Sequence, residues 1–181
     1  MEIKDYRQIS EAWHKGFARK TDDINEVVVH GTGGGTNGKV FLNWMATQGR
    51  PDEYSRGIGL FHFLIDTDGT VYQTAHLDRW YYHSSSGQHD KQTIGIELLN
   101  SNQNNEAEYT SFQYKALVEL LSDLFRSYKI TDIVSHNFNK YKYSNGNKNC
   151  PGNFDWDHLH DVLSCAFSNL IYEKEHIYNF V

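Results

Sequence analysis

Glu26–His30 (EVVVH) runs directly into Gly31–Gly38 (GTGGGTNG), and this junction decides the fold. Val27, Val28 and Val29 are β-branched and restrict χ1, which favours extended backbone. No polar residue interrupts them, so the run predicts a strand buried on both faces rather than one with a wet side. His30 then stands at the end of a buried strand, beside a loop with little side-chain bulk. Working outward, Leu60–Ile65 (LFHFLI) and Thr70–Gln73 (TVYQ) predict two strands joined at Asp68–Gly69, a hairpin turn signal. Thr93–Leu99 (TIGIELL) predicts another strand, with Ile94, Ile96 and Leu98 on one face and Gly95, Glu97 and Leu99 on the other. Thr131–Ser135 is a short strand leading into His136.

Four stretches have helical character. Ile9–Lys20 is the first. Val40–Thr47 carries Phe41, Trp44 and Met45 at helical spacing. Thr110–Tyr128 opens on a capping box, Thr110 with Gln113, and carries the stripe Phe112, Ala116, Leu117, Leu120, Leu121 and Leu124. Phe154–Leu170 places Trp156, Leu159, Val162, Leu163 and Phe167 inward. Asn137–Gly152, rich in Asn, Lys and Tyr, is expected to be a polar loop. Strands and helices in mixed order, without an internal repeat, predict an α/β layered domain around one sheet.

The 181 residues suffice for one domain with a sizeable core. With only two prolines, Pro51 and Pro151, a long Pro-rich linker to a second module is excluded. A net charge of -6 without a basic patch argues against nucleic acid as a partner. Met1–Lys20 lacks the apolar region of a signal peptide, and no segment is apolar enough to span a membrane. The expectation is a protein made in the cytoplasm, without membrane insertion. The two cysteines, Cys150 and Cys165, make no disulfide framework. Cys165 is expected as a buried core thiol on the inner side of the last helix.

Ten histidines make a metal site worth seeking. His30 and His136 each close a strand, and Cys150 stands in a loop just before a helix. Element ends of this kind can converge at one sheet edge. A catalytic zinc site takes three protein ligands and keeps a fourth position open. Spacing alone leaves two readings: a ligand set, or ordinary strand-end and loop residues. The loop GTGGGTNG has neither the Lys-Ser or Lys-Thr ending of a phosphate loop nor a dinucleotide fingerprint. It is expected to be a flexible turn beside the site.

Six pieces now stand in order: VVVHGT (27–32), FHFLIDTDGTVYQ (61–73), WYYHSSSG (80–87), TIGIELLN (93–100), VSHNF (134–138) and KNCPGNFDW (148–156). Together they resemble the zinc-dependent N-acetylmuramoyl-L-alanine amidases. That family includes amidase-type phage lysozymes, muropeptide-recycling amidases and peptidoglycan recognition proteins. The resemblance implies a single α/β domain with a central mixed sheet flanked by helices and a zinc cleft at the sheet surface. It would occupy residues 26–181, after an N-terminal helical extension over residues 1–25.

The resemblance also implies roles. His30, His136 and Cys150 would hold Zn2+. Glu97 falls on the Glu of the recycling-type members, and Lys148 on the Lys two residues before the third ligand; both would be catalytic. His83 falls on a groove-lining His and is expected to bind substrate; His62, next to Phe61 in its strand, is a second substrate-binding candidate, with a core role as the alternative. Phe61 departs from the pattern, because many members carry a Tyr there whose hydroxyl assists catalysis. Glu97 resembles one branch, the recycling type, while Cys150 is the ligand of phage lysozymes and recognition proteins. The implied activity is hydrolysis of the amide between N-acetylmuramic acid and L-alanine in peptidoglycan, as a phage-type endolysin acting on the cell wall and monomeric. The alternatives are a cytosolic muropeptide-recycling amidase, a non-catalytic peptidoglycan-binding module, and a zinc hydrolase of another amide.

Overall fold

Val27, Val28 and Val29 are fully buried, as a strand covered on both faces requires, and Glu26–Gly31 forms β3. The structure is a computed structural model that describes residues 2–9, 16–48 and 60–166. The other described strands are β1 (Ile3–Asp5), β2 (Phe17–Ala18), β4 (Phe63–Ile65), β5 (Val71–Gln73), β6 (Arg79–Trp80), β7 (Thr93–Leu98) and β8 (Asp132–Ser135). The helices are α1 (Gly38–Gln48), α2 (Gly87–Asp90), α3 (Ser111–Ser127), α4 (His136–Ser144) and α5 (Trp156–Ala166).

Among the described residues, six strands form one sheet in the order β1-β5-β4-β7-β3-β8. β3 lies between β7 and β8 and is parallel to both. β4 is parallel to β7 but antiparallel to β5, so the sheet is mixed. The β4–β5 hairpin turns at Asp68–Gly69 as expected, with Gly69 at φ 82, a conformation that suits glycine. Alternation along β7 holds too. Ile94, Ile96 and Leu98 join Val27 and Val29 in the cluster under α3 and α5. Leu99 packs on the opposite face with Leu42, Met45, Leu64 and Tyr72. The result is an α/β domain whose central mixed sheet is flanked by helices on both sides.

α3 shows what holds these layers. Thr110 caps it, accepting from Gln113 N–H at 3.1 Å, while Gln113 accepts from Thr110 N–H at 3.0 Å. Such a cap contributes about 1 kcal/mol. Burying Leu117, Leu120, Leu121 and Leu124 contributes roughly 1.5–3 kcal/mol each, so packing outweighs the cap severalfold.

Several expectations are corrected. Phe112 is 63% exposed, and Tyr114 and Gln113 are buried instead. Within α1, Leu42 and Met45 face the core while Trp44 is 51% exposed. Cys165 is exposed and free, because the inward side of α5 is set by Leu159 and Leu163 and a position two residues on points away. The expected polar loop after His136 begins as α4. Ser135 caps it, accepting from Phe138 N–H at 2.9 Å, and Asn145 ends it at φ 51. Its polar sequence hid it, since it buries only His136 and Asn139. The helix expected over Ile9–Lys20 falls partly outside the described residues; Phe17–Ala18 is instead a strand paired with β6. Near the N-terminus, Ile3–Asp5 pairs with β5 in the main sheet. Phe167, and the end of the helix expected to reach Leu170, lie outside the described residues.

Candidate metal centre

The parallel register of β3 and β8 ends on Val29 beside Ser135, so His30 and His136 leave the same sheet edge side by side. Crevices at the carboxyl ends of parallel strands are where open α/β sheets bind ligands. Across the other neighbour, His30 is in register with Glu97 of β7. Strand alternation puts His30 and Glu97 on the face away from α3 and α5.

Cys150 is brought in by its loop. Asn137 N–H donates to Cys150 O at 3.0 Å, and Tyr109 Oη–H donates to Pro151 O at 2.6 Å. Asn105 Nδ2–H donates to Asn149 O at 3.1 Å, and Asn105 O accepts from Asn153 N–H at 3.0 Å. Gly31 N–H donates to Cys150 Sγ at 3.4 Å. Glycine is required at 31 because a Cβ there would collide with the Tyr109 hydroxyl and the Asn105 side chain.

His30 Nδ1 and His136 Nδ1 are 3.0 Å apart, and Cys150 Sγ is 4.0 Å from His30 Nδ1. All three ligand atoms lie within 4.8 Å of one another, and all three residues are buried. Zn–N and Zn–S bonds of ordinary length imply ligand–ligand edges of about 3.3 and about 3.6 Å in a tetrahedral site. The two edges at His30, 3.0 and 4.0 Å, match within half an ångström, and the donor set suits zinc. Burial, reinforced by the neighbouring histidines and Lys148, holds the His30 imidazole well below its usual range. Burial likewise lowers His136 to about 3, with Lys148 acting in the same direction. Both rings are therefore neutral at pH 7, the form that ligates a metal. Burial pushes the Cys150 thiol up to about 12, with the Glu97 charge adding to it. A bound divalent cation reverses that balance and draws out the thiolate.

Beside the three side chains lies a cavity of about 580 Å³, lined by Gly33–Gly35, Val40, Phe41, Trp44, Phe61 and Glu97 among others. Glu97 is half-buried on this wall, and Lys148 is exposed on the loop leading to Cys150. The glycine-rich loop lies beside the site, as expected, lining the cavity with Gly33, Gly34 and Gly35. Its backbone is tied down by Gly33 N–H to Asn105 Oδ1 at 2.8 Å and Gly34 N–H to Asn100 O at 3.0 Å.

The His62 and His83 side chains are both buried. His62 is fully buried. Its Nδ1 accepts from Gly95 N–H at 3.1 Å, and its Nε2 lies 3.1 Å from Arg79 O and 3.0 Å from Arg19 Nη2. The His83 side chain is 4% exposed, with Nδ1 3.1 Å from His30 Nε2 and Nε2 2.8 Å from Thr93 Oγ1. The His83 ring lies against β7 where Gly95 carries no side chain. Ser85, which sequence reasoning passed over, lies with Oγ 3.0 Å from His136 Nε2. Its only sequence signal was its place in the HSSSG run.

Solved structures share this fold. An endolysin N-acetylmuramoyl-L-alanine amidase, LysCS from Clostridium intestinale URNW, is 24% identical over 90% of this chain and 95% of its own, with a TM-score of 0.67. The Ph2119 endolysin from the Thermus scotoductus MAT2119 bacteriophage Ph2119 is 18% identical over 90% of this chain and 99% of its own, with a TM-score of 0.66. An AmpD structure is 23% identical over 84% of this chain and 97% of its own, with a TM-score of 0.62. No curated protein sequence gave a match. A family model described as N-acetylmuramoyl-L-alanine amidase matches residues 20–153, a span running from before β3 to just past Cys150, and on that match the chain belongs to the N-acetylmuramoyl-L-alanine amidase family.

Proposed function

We propose that this peptidoglycan amidase is zinc-dependent and cleaves the amide between the lactyl group of N-acetylmuramic acid and L-alanine. The observation that carries the reading is the convergence of His30 Nδ1, His136 Nδ1 and Cys150 Sγ beside the Glu97 wall of the cavity. Those three atoms would hold Zn2+, which supplies Lewis acidity toward the scissile carbonyl and toward water. Glu97 takes the proton of the attacking water and passes it to the leaving amine. The Lys148 ammonium stabilises the oxyanion that develops on the carbonyl oxygen. Phe61, 4% exposed and without a hydroxyl, takes no part in proton transfer, so that work rests on Glu97.

The biological role we infer is that of a phage-type endolysin acting on the cell wall, with a monomer as the working form. Its support is Cys150 as third ligand together with the fold shared with structures named endolysins. Among the described residues no helix is long and apolar enough to cross a membrane. Glu97 paired with Phe61 favours a second reading, muropeptide recycling.

The test is digestion of purified sacculi and of soluble anhydro-muropeptides, with products identified by mass spectrometry. The amidase reading expects free glycan strands and intact stem peptides beginning at L-alanine; a cut between two amino acids sinks it. Preference for the soluble anhydro substrate over sacculi would favour recycling over lysis. Glu97→Gln should keep bound zinc and lose on the order of 10²–10⁴ in turnover. Wild-type turnover in that variant removes Glu97 from the mechanism.

A further inference from the structure

Both imidazole ligands lean on one short loop. With Nδ1 of each ring facing the shared point, each Nε2 carries the proton and must find an acceptor. His30 Nε2–H has His83 Nδ1 at 3.1 Å. His136 Nε2–H has Ser85 Oγ at 3.0 Å. Acceptance at Nδ1 puts the His83 proton on Nε2, which donates to Thr93 Oγ1 at 2.8 Å. The Thr93 hydroxyl then donates to Asp90 O at 3.2 Å. One polarity satisfies every bond in this chain, and it is the polarity that leaves the His30 Nδ1 lone pair free for a metal.

The loop is itself braced. The Asp90 carboxylate accepts from Ser84 N–H at 2.9 Å, from Ser84 Oγ–H, and from His83 N–H at 3.3 Å. Ser84, Asp90 and Thr93 are all fully buried. Behind the ring, a Cβ at position 95 would fall 2.9 Å from His83 Nδ1, so Gly95 is the seat on which the imidazole lies. Ser85 has φ 75, in the left-handed region that a non-glycine residue seldom adopts. Backbone of this kind costs on the order of 1–3 kcal/mol and persists where the surroundings hold it. Here the held conformation carries the Ser85 hydroxyl that faces His136.

We propose that residues 83–85, braced by Asp90, are a clamp that sets the tautomer and ring orientation of both histidine ligands. In this role His83 and Ser85 are positioning residues, acting on the metal through His30 and His136. Partners of this kind orient ligating imidazoles and raise their basicity, and losing one weakens metal binding by about 10–100-fold. The clamp rests on the zinc reading above, and the test separates the two.

Zinc affinity is measured by chelator competition on the full chain, with the ligand-field spectrum of the cobalt(II)-substituted protein as a second readout. His83→Phe keeps the ring volume and deletes the acceptor; it should bind zinc about 10–100-fold more weakly. His83→Asn places an amide oxygen near the Nδ1 position and should recover most of that loss. Ser85→Ala, on an exposed loop, should also weaken zinc and alter the cobalt spectrum. Where His83→Phe lacks a cooperative thermal transition, Ser85→Ala and His83→Asn decide. Wild-type zinc affinity and cobalt spectra in His83→Phe or in Ser85→Ala overturn the clamp while leaving the metal centre standing. Failure of His83→Asn to improve on His83→Phe also overturns it, because the acceptor is then not what matters. Wild-type protein that takes up no zinc overturns the metal centre and the clamp together.

Discussion

Gly31→Ala probes a tight contact beside the candidate metal centre. A Cβ at 31 would press on the Tyr109 hydroxyl and on Asn105 Oδ1 and Cγ. These are the groups that hold the Cys150 loop, through Pro151 O at 2.6 Å and Asn149 O at 3.1 Å. Overpacking a close-packed site costs about 1–3 kcal/mol. Displacing Tyr109 also strands the buried Pro151 carbonyl, which adds about 1 kcal/mol or more. The substitution should therefore destabilise the metal-free protein by roughly 2–4 kcal/mol, a fall in midpoint of about 4–16 °C for a domain of this size. Tyr109→Phe alone should cost about 1–3 kcal/mol, because it too leaves that carbonyl unpaired. The informative measurement is the double mutant. With the hydroxyl gone, the new methyl meets less resistance, so Gly31→Ala should cost about 1 kcal/mol less in the Tyr109→Phe background. The assay is urea unfolding followed by circular dichroism in chelator-treated protein, since bound zinc would add its own stabilisation. Additivity within about 0.5 kcal/mol would refute the claimed contact between residue 31 and Tyr109.

Two further outcomes follow from the same geometry. Cys150→Ser replaces the only thiol of the centre. Structural sites with four protein ligands bind zinc by about 10–16 kcal/mol, or about 3 kcal/mol per ligand, so losing the thiolate should cost roughly 10²-fold in affinity, readable by chelator competition. Asp90→Asn tests a pH dependence. Burial raises the Asp90 carboxyl to about 6 from 3.8, against the hydrogen bonds from Ser84 and His83. The folded chain thus holds a proton there that the unfolded chain has released. That contribution is full below pH 3.8 and is lost as pH rises through about 6. It amounts to at most about 3 kcal/mol. Measured from pH 4 to pH 7, the stability of the wild type relative to Asp90→Asn should fall with rising pH, and a flat difference refutes the assignment.

The sequence determined the parts that depend on local chemistry. Val27–Val29 had to be a strand covered on both faces, Asp68–Gly69 had to turn, and the leucine stripe of α3 with its Thr110 cap had to be a packed helix. Side-chain period and turn residues carry those facts without reference to the rest of the chain. The ligand types at positions 30, 136 and 150 were legible in the same way, but not their meeting, because 106 residues separate His30 from His136. Only the parallel register of β3 and β8 brings them together. α4 was illegible because its helix depends on the Ser135 cap and on burying His136, not on an apolar stripe.

Tertiary structure alone decided the surroundings of the metal-type residues. His83 stood in the sequence as a groove residue and His62 as either a core or a cleft residue; the fold buries both side chains, His83 where Gly95 leaves space on β7. Nothing in the sequence marks Ser85, Thr93 and Asp90 as partners of the ligand histidines. Their hydrogen bonds depend on where the loop after β6 crosses the end of β7. The one junction that decided the fold, a buried valine run ending in His30, also shows where sequence stops. It places an imidazole at a strand end, while the contacts that orient that imidazole, His83 on Nε2 and Cys150 and His136 around Nδ1, all come from distant chain. Alternation and turn chemistry are written residue by residue, whereas orientation at a metal centre is set by packing between elements.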